Sequence, residues 1–183
     1  MRAAVGTIAT QADLEALAAS VAGLFGEDAG RHDFLTDIGW PAREGHPYYS
    51  ALMDDPAGLL LLARDGGQVI GHLAGKVSAP DPVRTAAVAV LESMRAAPDP
   101  LTADVGSLLI WHFFAWARER VTRQASVTAY AGNHAAERFY ERHGFAPARE
   151  HYLTSPSLVS GTRINGHLGG EIRRGLGSPG WRH

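Results

Sequence analysis

Several short stretches of this sequence hold residue types whose spacing could do chemistry. In "PDPLTADVGSLLI", residues 98–110, two prolines stop whatever precedes them and Thr102 reads as an N-cap. Asp104 then falls in the first helical turn, ahead of the apolar Val105, Leu108 and Leu109. A helix that starts after a strand suits phosphate, because its first amides are unpaired and carry partial positive charge. Asp104 places a carboxylate at that spot, so the turn is partly neutralised by the chain itself. Glu92 is the only acid in 85–97. A carboxylate inside such an apolar strand needs a partner or a function, unless it faces outward from a half-solvated strand. In "SVTAYAGNHAAERFYERHGFAP", residues 126–147, Asn133 opens a helix and Tyr140 follows on the same face, about 10 Å along the axis. Taken singly, Asn133 is an N-cap, Phe139 and Tyr140 are core, and Gly144 is a C′ glycine with Phe145 as its apolar contact. The segment 26–49 combines Glu27, Asp28, Asp33 and Asp37 with Trp40, Tyr48 and Tyr49. That wall suits a cationic or aromatic small molecule, or else it is a solvated acidic loop.

The elements that must position these residues follow from the pattern. A strand is expected over 3–8, and "TQAD" from Thr10 gives a capping box to a helix over 11–25. Residues 26–40 read as acidic and irregular, and a helix from Pro41 to Met53 starts on its proline. Strands 58–64 and 68–78 form a hairpin turning at Asp65-Gly66-Gly67, and 85–97 is a long strand. The helix over 103–120 carries a stripe of Val105, Leu108, Leu109, Phe113 and Trp116, widened by Ile110, Trp111 and Phe114. A strand at 124–130, a helix at 133–143 and a strand at 145–154 complete the order. This order predicts an α/β (α+β) fold with a mixed sheet flanked by helices, as one domain over 1–154. The glycine-rich stretch 155–183 is expected to be a loosely ordered tail.

Composition narrows the function classes. The 183 residues, 45% hydrophobic with a net charge of −2, suit one compact domain and give no support to a nucleic-acid or membrane partner. There is no cysteine, which excludes disulfides, thiolate metal sites and a cysteine nucleophile and makes a cytoplasmic protein the expectation. The first twenty residues lack the apolar core of a signal peptide, and no stretch is long and apolar enough to span a bilayer. The nine histidines lack metal-ligand spacing, so no metal is expected. "GLGSPG" at 175–180 follows no strand and is set aside as a nucleotide loop.

The block 126–147 resembles the GNAT family of N-acetyltransferases, whose late motif N-x-x-A-x-x-F/L-Y-x-x-x-G-F is matched by Asn133, Ala136, Phe139, Tyr140, Gly144 and Phe145. The family's strand signature L-E-x-x-x-V-x-P is similar to Leu91 through Pro98. The resemblance implies a mostly antiparallel central sheet and acetyl transfer from acetyl-CoA to a primary amine of a small molecule. In that frame Glu92 is the base, and Tyr140 protonates the departing CoA thiolate. Asn133 holds the pantetheine arm and the Met94 amide polarises the thioester carbonyl. Ala96, Val105, Gly106 and Ser107 complete the cofactor side, while Glu27, Asp28, Trp40 and Tyr48 build the acceptor side. The family's pyrophosphate loop R/Q-x-x-G-x-G/A is met only at Gly106, with Leu101 and Asp104 at the first two positions. Two other readings therefore stay open: a binding protein of this fold that has lost CoA, and a pocket reused for chemistry without CoA. Oligomeric state is not fixed by the sequence, and a homodimer is one of the open options.

Overall fold

A computed structural model describes residues 4–7, 10–97 and 104–148. Its sheet has five strands in the order β1 (Ala4–Thr7), β2 (Gly58–Asp65), β3 (Gln68–Ser78), β4 (Val88–Ala96) and β5 (Gln124–Val127). The first four are antiparallel and β5 runs parallel to β4. The helices are α1 (Gln11–Leu24), α2 (Gly30–His32), α3 (His46–Asp54), α4 (Val105–Glu119) and α5 (His134–Arg142). The mixed sheet expected from the order of elements, and the mostly antiparallel pairing that the resemblance implies, are thus what the chain forms.

The unbroken apolar run of β2 has a simple cause, because both faces of the sheet are covered. Leu59, Leu61 and Ala63 pack with Leu109, Ile110 and Phe113 of α4 on one face. Leu60 and Leu62 pack with Leu14, Leu17 and Val21 of α1 and with Tyr49 and Leu52 of α3 on the other. Gly66 and Gly67, both at positive φ, make the two-residue turn that the strand twist requires between β2 and β3. The capping box on α1 forms as read: Asp13 N donates to Thr10 Oγ1 and Thr10 N donates to Asp13 Oδ2.

Other expectations are corrected. Helical structure continues past α1 through a π-helical turn, Phe25–Ala29, into α2, so 26–32 is not irregular. The helix expected from Pro41 begins as a second π turn, Pro41–Gly45, before α3. Pro47, in the first turn of α3, has no N–H to donate back to the preceding turn, which accounts for that wider start. Trp111 does not widen the buried stripe of α4, because it is 59% exposed. α4 starts at Val105 with Asp104 at its cap position, and the predicted cap Thr102 lies outside the described residues. β5 ends at Val127 rather than 130. Of the strand expected over 145–154, residues 145–148 are not extended into a ladder and the remainder lies outside the described residues.

The sheet's irregularity lies in β4. Ala74 pairs with Ser93 and Gly75 pairs with Leu91, which leaves Glu92 as the extra residue of a β-bulge. Pairing of β4 with β5 runs from Val88↔Gln124 to Leu91↔Val127 and stops there. Beneath the bulge His72, fully buried, bonds Ser20 Oγ at 2.8 Å through Nδ1 and Ser93 Oγ at 3.3 Å through Nε2.

Burial, reinforced by the charge of Arg95, pushes the His72 imidazole down to about 3 from its usual 6.5. Between these values the unfolded chain binds the extra proton, so stability is complete above about 6.5 and falls as pH drops, by up to about 1.4 kcal/mol per pH unit. His72→Gln keeps hydrogen-bonding capacity without a titrating ring. Its denaturation midpoint should therefore fall less steeply than the wild type's between about pH 6.5 and 4.5. Equal slopes in the two proteins would mean that His72 is not held neutral in the fold.

Candidate active site

Where β4 and β5 part, a cleft of about 320 Å³ opens. One wall is Leu91 to Met94 of β4, the other is Val127 to Tyr130, and Tyr140 of α5 closes one end. Leu24, Phe25, Asp28 and Ala29, from the end of α1 and its π turn, form the roof together with Thr36. Wide helical turns shift the register of side chains, and here the shift sets Asp28 into the cleft. That turn is held from behind. Arg95 donates to Glu27 through Nε at 2.9 Å and Nη2 at 2.7 Å, and its guanidinium lies where a Cβ on Gly23 would stand. The Arg95 bond holds the Glu27 carboxyl below the usual range.

Glu92 is engaged twice. Lys76 Nζ lies 2.5 Å from Oε1, and Tyr48 Oη donates to Oε2 at 2.6 Å. The Tyr48 phenol is pushed well above its usual value, by burial first and then by the Glu92 carboxylate. Through the bulge, Glu92 and Ser93 both turn to the face that carries α1 and α3, where Ser93 meets His72 and Tyr49.

Asn133 caps α5, accepting from Ala136 N at 3.0 Å through Oδ1 while Nδ2 donates to Asp28 Oδ1 at 2.8 Å. His32 Nε2 stands 3.6 Å from the same carboxylate oxygen, and its ring stacks on Tyr130. Tyr140 makes no hydrogen bond through its hydroxyl among the described residues. Burial, with the charge of Asp28 added, pushes its phenol up to about 12, so it keeps its proton at neutral pH.

The start of α4 adjoins α5. A Cβ on Gly106 would stand 3.0 Å from the Phe139 ring, so a larger residue there would have to push that ring aside. His143 Nδ1 donates to Phe139 O at 2.7 Å, and its Nε2 pairs with Ser107 Oγ at 3.0 Å. Asp104 is exposed and makes no side-chain cap bond, so its charge faces solvent at the helix start. Val105 is buried against the sheet, and Ala96 packs on that same core. Leu101 lies outside the described residues.

Of the residues singled out from sequence, the cleft brings together Glu92, Met94, Asp28 and Tyr140, with Asn133 behind Asp28. Glu27, Trp40 and Tyr48 do not line it: Glu27 is bound to Arg95, Trp40 stacks on Phe25, and Tyr48 packs edge-on against Trp40 and Tyr49 while donating to Glu92. Lys76, Tyr130 and Thr36 were not singled out. Lys76 carried one readable signal, being the chain's single lysine and set inside a strand. No helix among the described residues is long and apolar enough to cross a membrane, and no cluster of metal-ligating side chains occurs among them.

Asp28→Asn removes the negative charge that acts on Tyr140 but leaves the burial. The Tyr140 phenol should then titrate below about 12 yet remain above the free value, read as the component of phenolate absorbance that Tyr140→Phe removes. An unchanged titration would separate the two residues.

The family model described as "Acetyltransferase (GNAT) family" matches residues 27–145. No curated protein gives a significant sequence match. Among solved structures, a transcriptional regulator from Bacillus halodurans C-125 shares 21% identity at a TM-score of 0.67, over 84% of this chain and 99% of that one. A ribosomal-protein-alanine N-acetyltransferase from Brucella melitensis biovar Abortus 2308 shares 19% at 0.61, over 84% and 99%. The aminoglycoside N-acetyltransferase AAC(6')-Iy, solved with CoA, shares 14% at 0.63, over 83% and 98%. At such identities the likeness is one of fold, whereas the family match spans the strand, cleft and helix motifs described above. The chain belongs to the GNAT acetyltransferase family.

Proposed function

We propose that this protein transfers an acetyl group from acetyl-CoA to a primary amine of a small molecule. The observation that carries the reading is the parting of β4 and β5 at the Glu92 bulge, which sets a carboxylate and a protonated phenol in one cleft. The residues present fit a pantetheine arm. The cleft is narrow and partly apolar, Met94 offers a strand edge left unpaired by β5, and the hydroxyl of Tyr140 has no competing protein partner among the described residues. Bound acetyl-CoA supplies an acyl group already activated as a thioester.

The chain's own residues then have distinct tasks. A free alkylamine is an ammonium at neutral pH, so a base must take a proton before it can attack, and Glu92 faces the cleft for that purpose. The Met94 amide stands at the strand edge as donor to the carbonyl oxygen. Tyr140 retains its proton at neutral pH and donates to the departing sulfur. Asp28, held by Asn133 and flanked by His32 and Tyr130, gives the acceptor side a carboxylate and a flat ring. An amine bearing further positive charge suits it better than an anion. The similarity in fold to an aminoglycoside N-acetyltransferase is consistent with this reading.

One observation favours a second reading, a binding protein of this fold without CoA: Asp104 sets an uncapped carboxylate at the start of α4. Calorimetric titration with acetyl-CoA separates the two. Binding is expected, and Asp104→Asn should tighten it by about tenfold at low salt and by less at high salt, since exposed charge repulsion is screened. No heat of binding in either protein would favour the second reading. In the enzyme, Tyr140→Phe should lower kcat by about 10- to 1000-fold with the melting temperature little changed, and Glu92→Gln should lower it while leaving acetyl-CoA affinity intact. Unaltered turnover in both variants would remove them from the chemistry.

A further inference from the structure

We propose that Lys76 is a site of self-acetylation, modified in the chain's own cleft; the proposal rests on the acetyl-transfer reading above. The chain has 17 lysine and arginine residues, and Lys76 is its only lysine. That single primary-amine side chain stands with Nζ 2.5 Å from Glu92 Oε1. Glu92 in turn is the carboxylate that faces the cleft beside Met94. An acceptor amine has to bring its ammonium against this carboxylate, and Lys76 already holds that position from within the fold.

The placement is built by the sheet. Lys76 pairs with Val90 on β4, and Glu92, two residues beyond Val90 and left out of the pairing by the bulge, stands on the same face as Lys76. The Lys76 side chain is 44% exposed, so its terminal nitrogen retains freedom to move, while Glu92 is only 18% exposed. Charge neutralisation alone does not account for lysine here. Arginine would pair with a carboxylate in a two-pronged fork, and the chain uses arginine at every other cationic side chain of that kind. Arginine stays charged and is a poor nucleophile, whereas a lysine that yields one proton to an adjacent base becomes a free amine.

The Lys76 ammonium passes one proton to Glu92, and the freed Nζ lone pair forms a C–N bond to the acetyl carbonyl carbon of the thioester. The C–S bond breaks, the sulfur leaves as the thiol with the Tyr140 proton, and the second proton lost by Nζ restores Tyr140 by way of solvent. One ammonium and one thioester thus give one amide, one thiol and one released proton. The product has no charge at Nζ, so Glu92 loses its ion pair and keeps the Tyr48 hydrogen bond.

The test uses the full chain with acetyl-CoA and no acceptor amine, followed by intact mass and peptide mapping. We expect one acetyl group per chain, mapped to Lys76 and absent from Lys76→Arg. The adduct should form at least about tenfold more slowly in Glu92→Gln. Heat-denatured protein under the same conditions gives the uncatalysed rate. A wild-type protein that binds acetyl-CoA and acetylates an added amine, yet leaves Lys76 unmodified, overturns this proposal and leaves the acetyl-transfer reading standing. A protein that binds no acetyl-CoA overturns both. Modification equally fast in Glu92→Gln or in the denatured chain also overturns it. Mapping on wild type carries the test even if Lys76→Arg folds poorly.

Discussion

The one-residue bulge at Glu92 is the constraint on which the rest of the site depends. A regular ladder would continue the pairing of β4 with β5, leave no cleft, and send Glu92 and Ser93 to opposite faces. With the bulge, pairing ends at Leu91↔Val127 and both side chains turn toward α1 and α3. Ser93 then meets the fully buried His72, which also holds Ser20 of α1. A buried imidazole with both nitrogens bonded is costly to disturb, so the network pins the bulge from below. The cleft is therefore rigid on its β4 side.

Its roof depends on a different kind of restraint. The π turn after α1 sets Asp28 into the cleft, and the two-pronged Arg95–Glu27 pair ties that turn to β4. The pair is partly exposed, so its value lies in geometry more than in stability. Asn133 joins this roof to α5 while capping it, and Tyr140 lies on that same helix. One carboxylate, Asp28, thereby orients the cap residue and adds its charge to the burial that raises the phenol of Tyr140. The acceptor side and the helix bearing the proton donor are coupled through a single side chain.

Much of this was legible in the sequence, for identifiable reasons. The order of elements along the chain followed from apolar and β-rich runs and glycine turns, and helical spacing set Asn133 and Tyr140 on one face of α5. Features that need two strands at once were not legible. A bulge is a slip between partners, and nothing in "VLESMRA" shows that Glu92 is the extra residue. The Lys76–Glu92 contact is a cross-strand contact of the same kind. The exposure of Trp111 was readable in principle, because it sits two residues from both Leu109 and Phe113 and so points away from their stripe. The acidic wall of 26–49 was mixed: Asp28 reaches the cleft, whereas Glu27 turns back to Arg95, and one residue of helical rotation separates those fates.

The central claim is that the opening between β4 and β5 receives the acyl-carrying arm beside Tyr140. A crystal structure of the protein with CoA tests it most directly. The arm should lie between Met94 and Asn133, with its sulfur within hydrogen-bond reach of the Tyr140 hydroxyl. An arm bound elsewhere, or a cleft that stays free of CoA in crystals grown at saturating ligand, would contradict it.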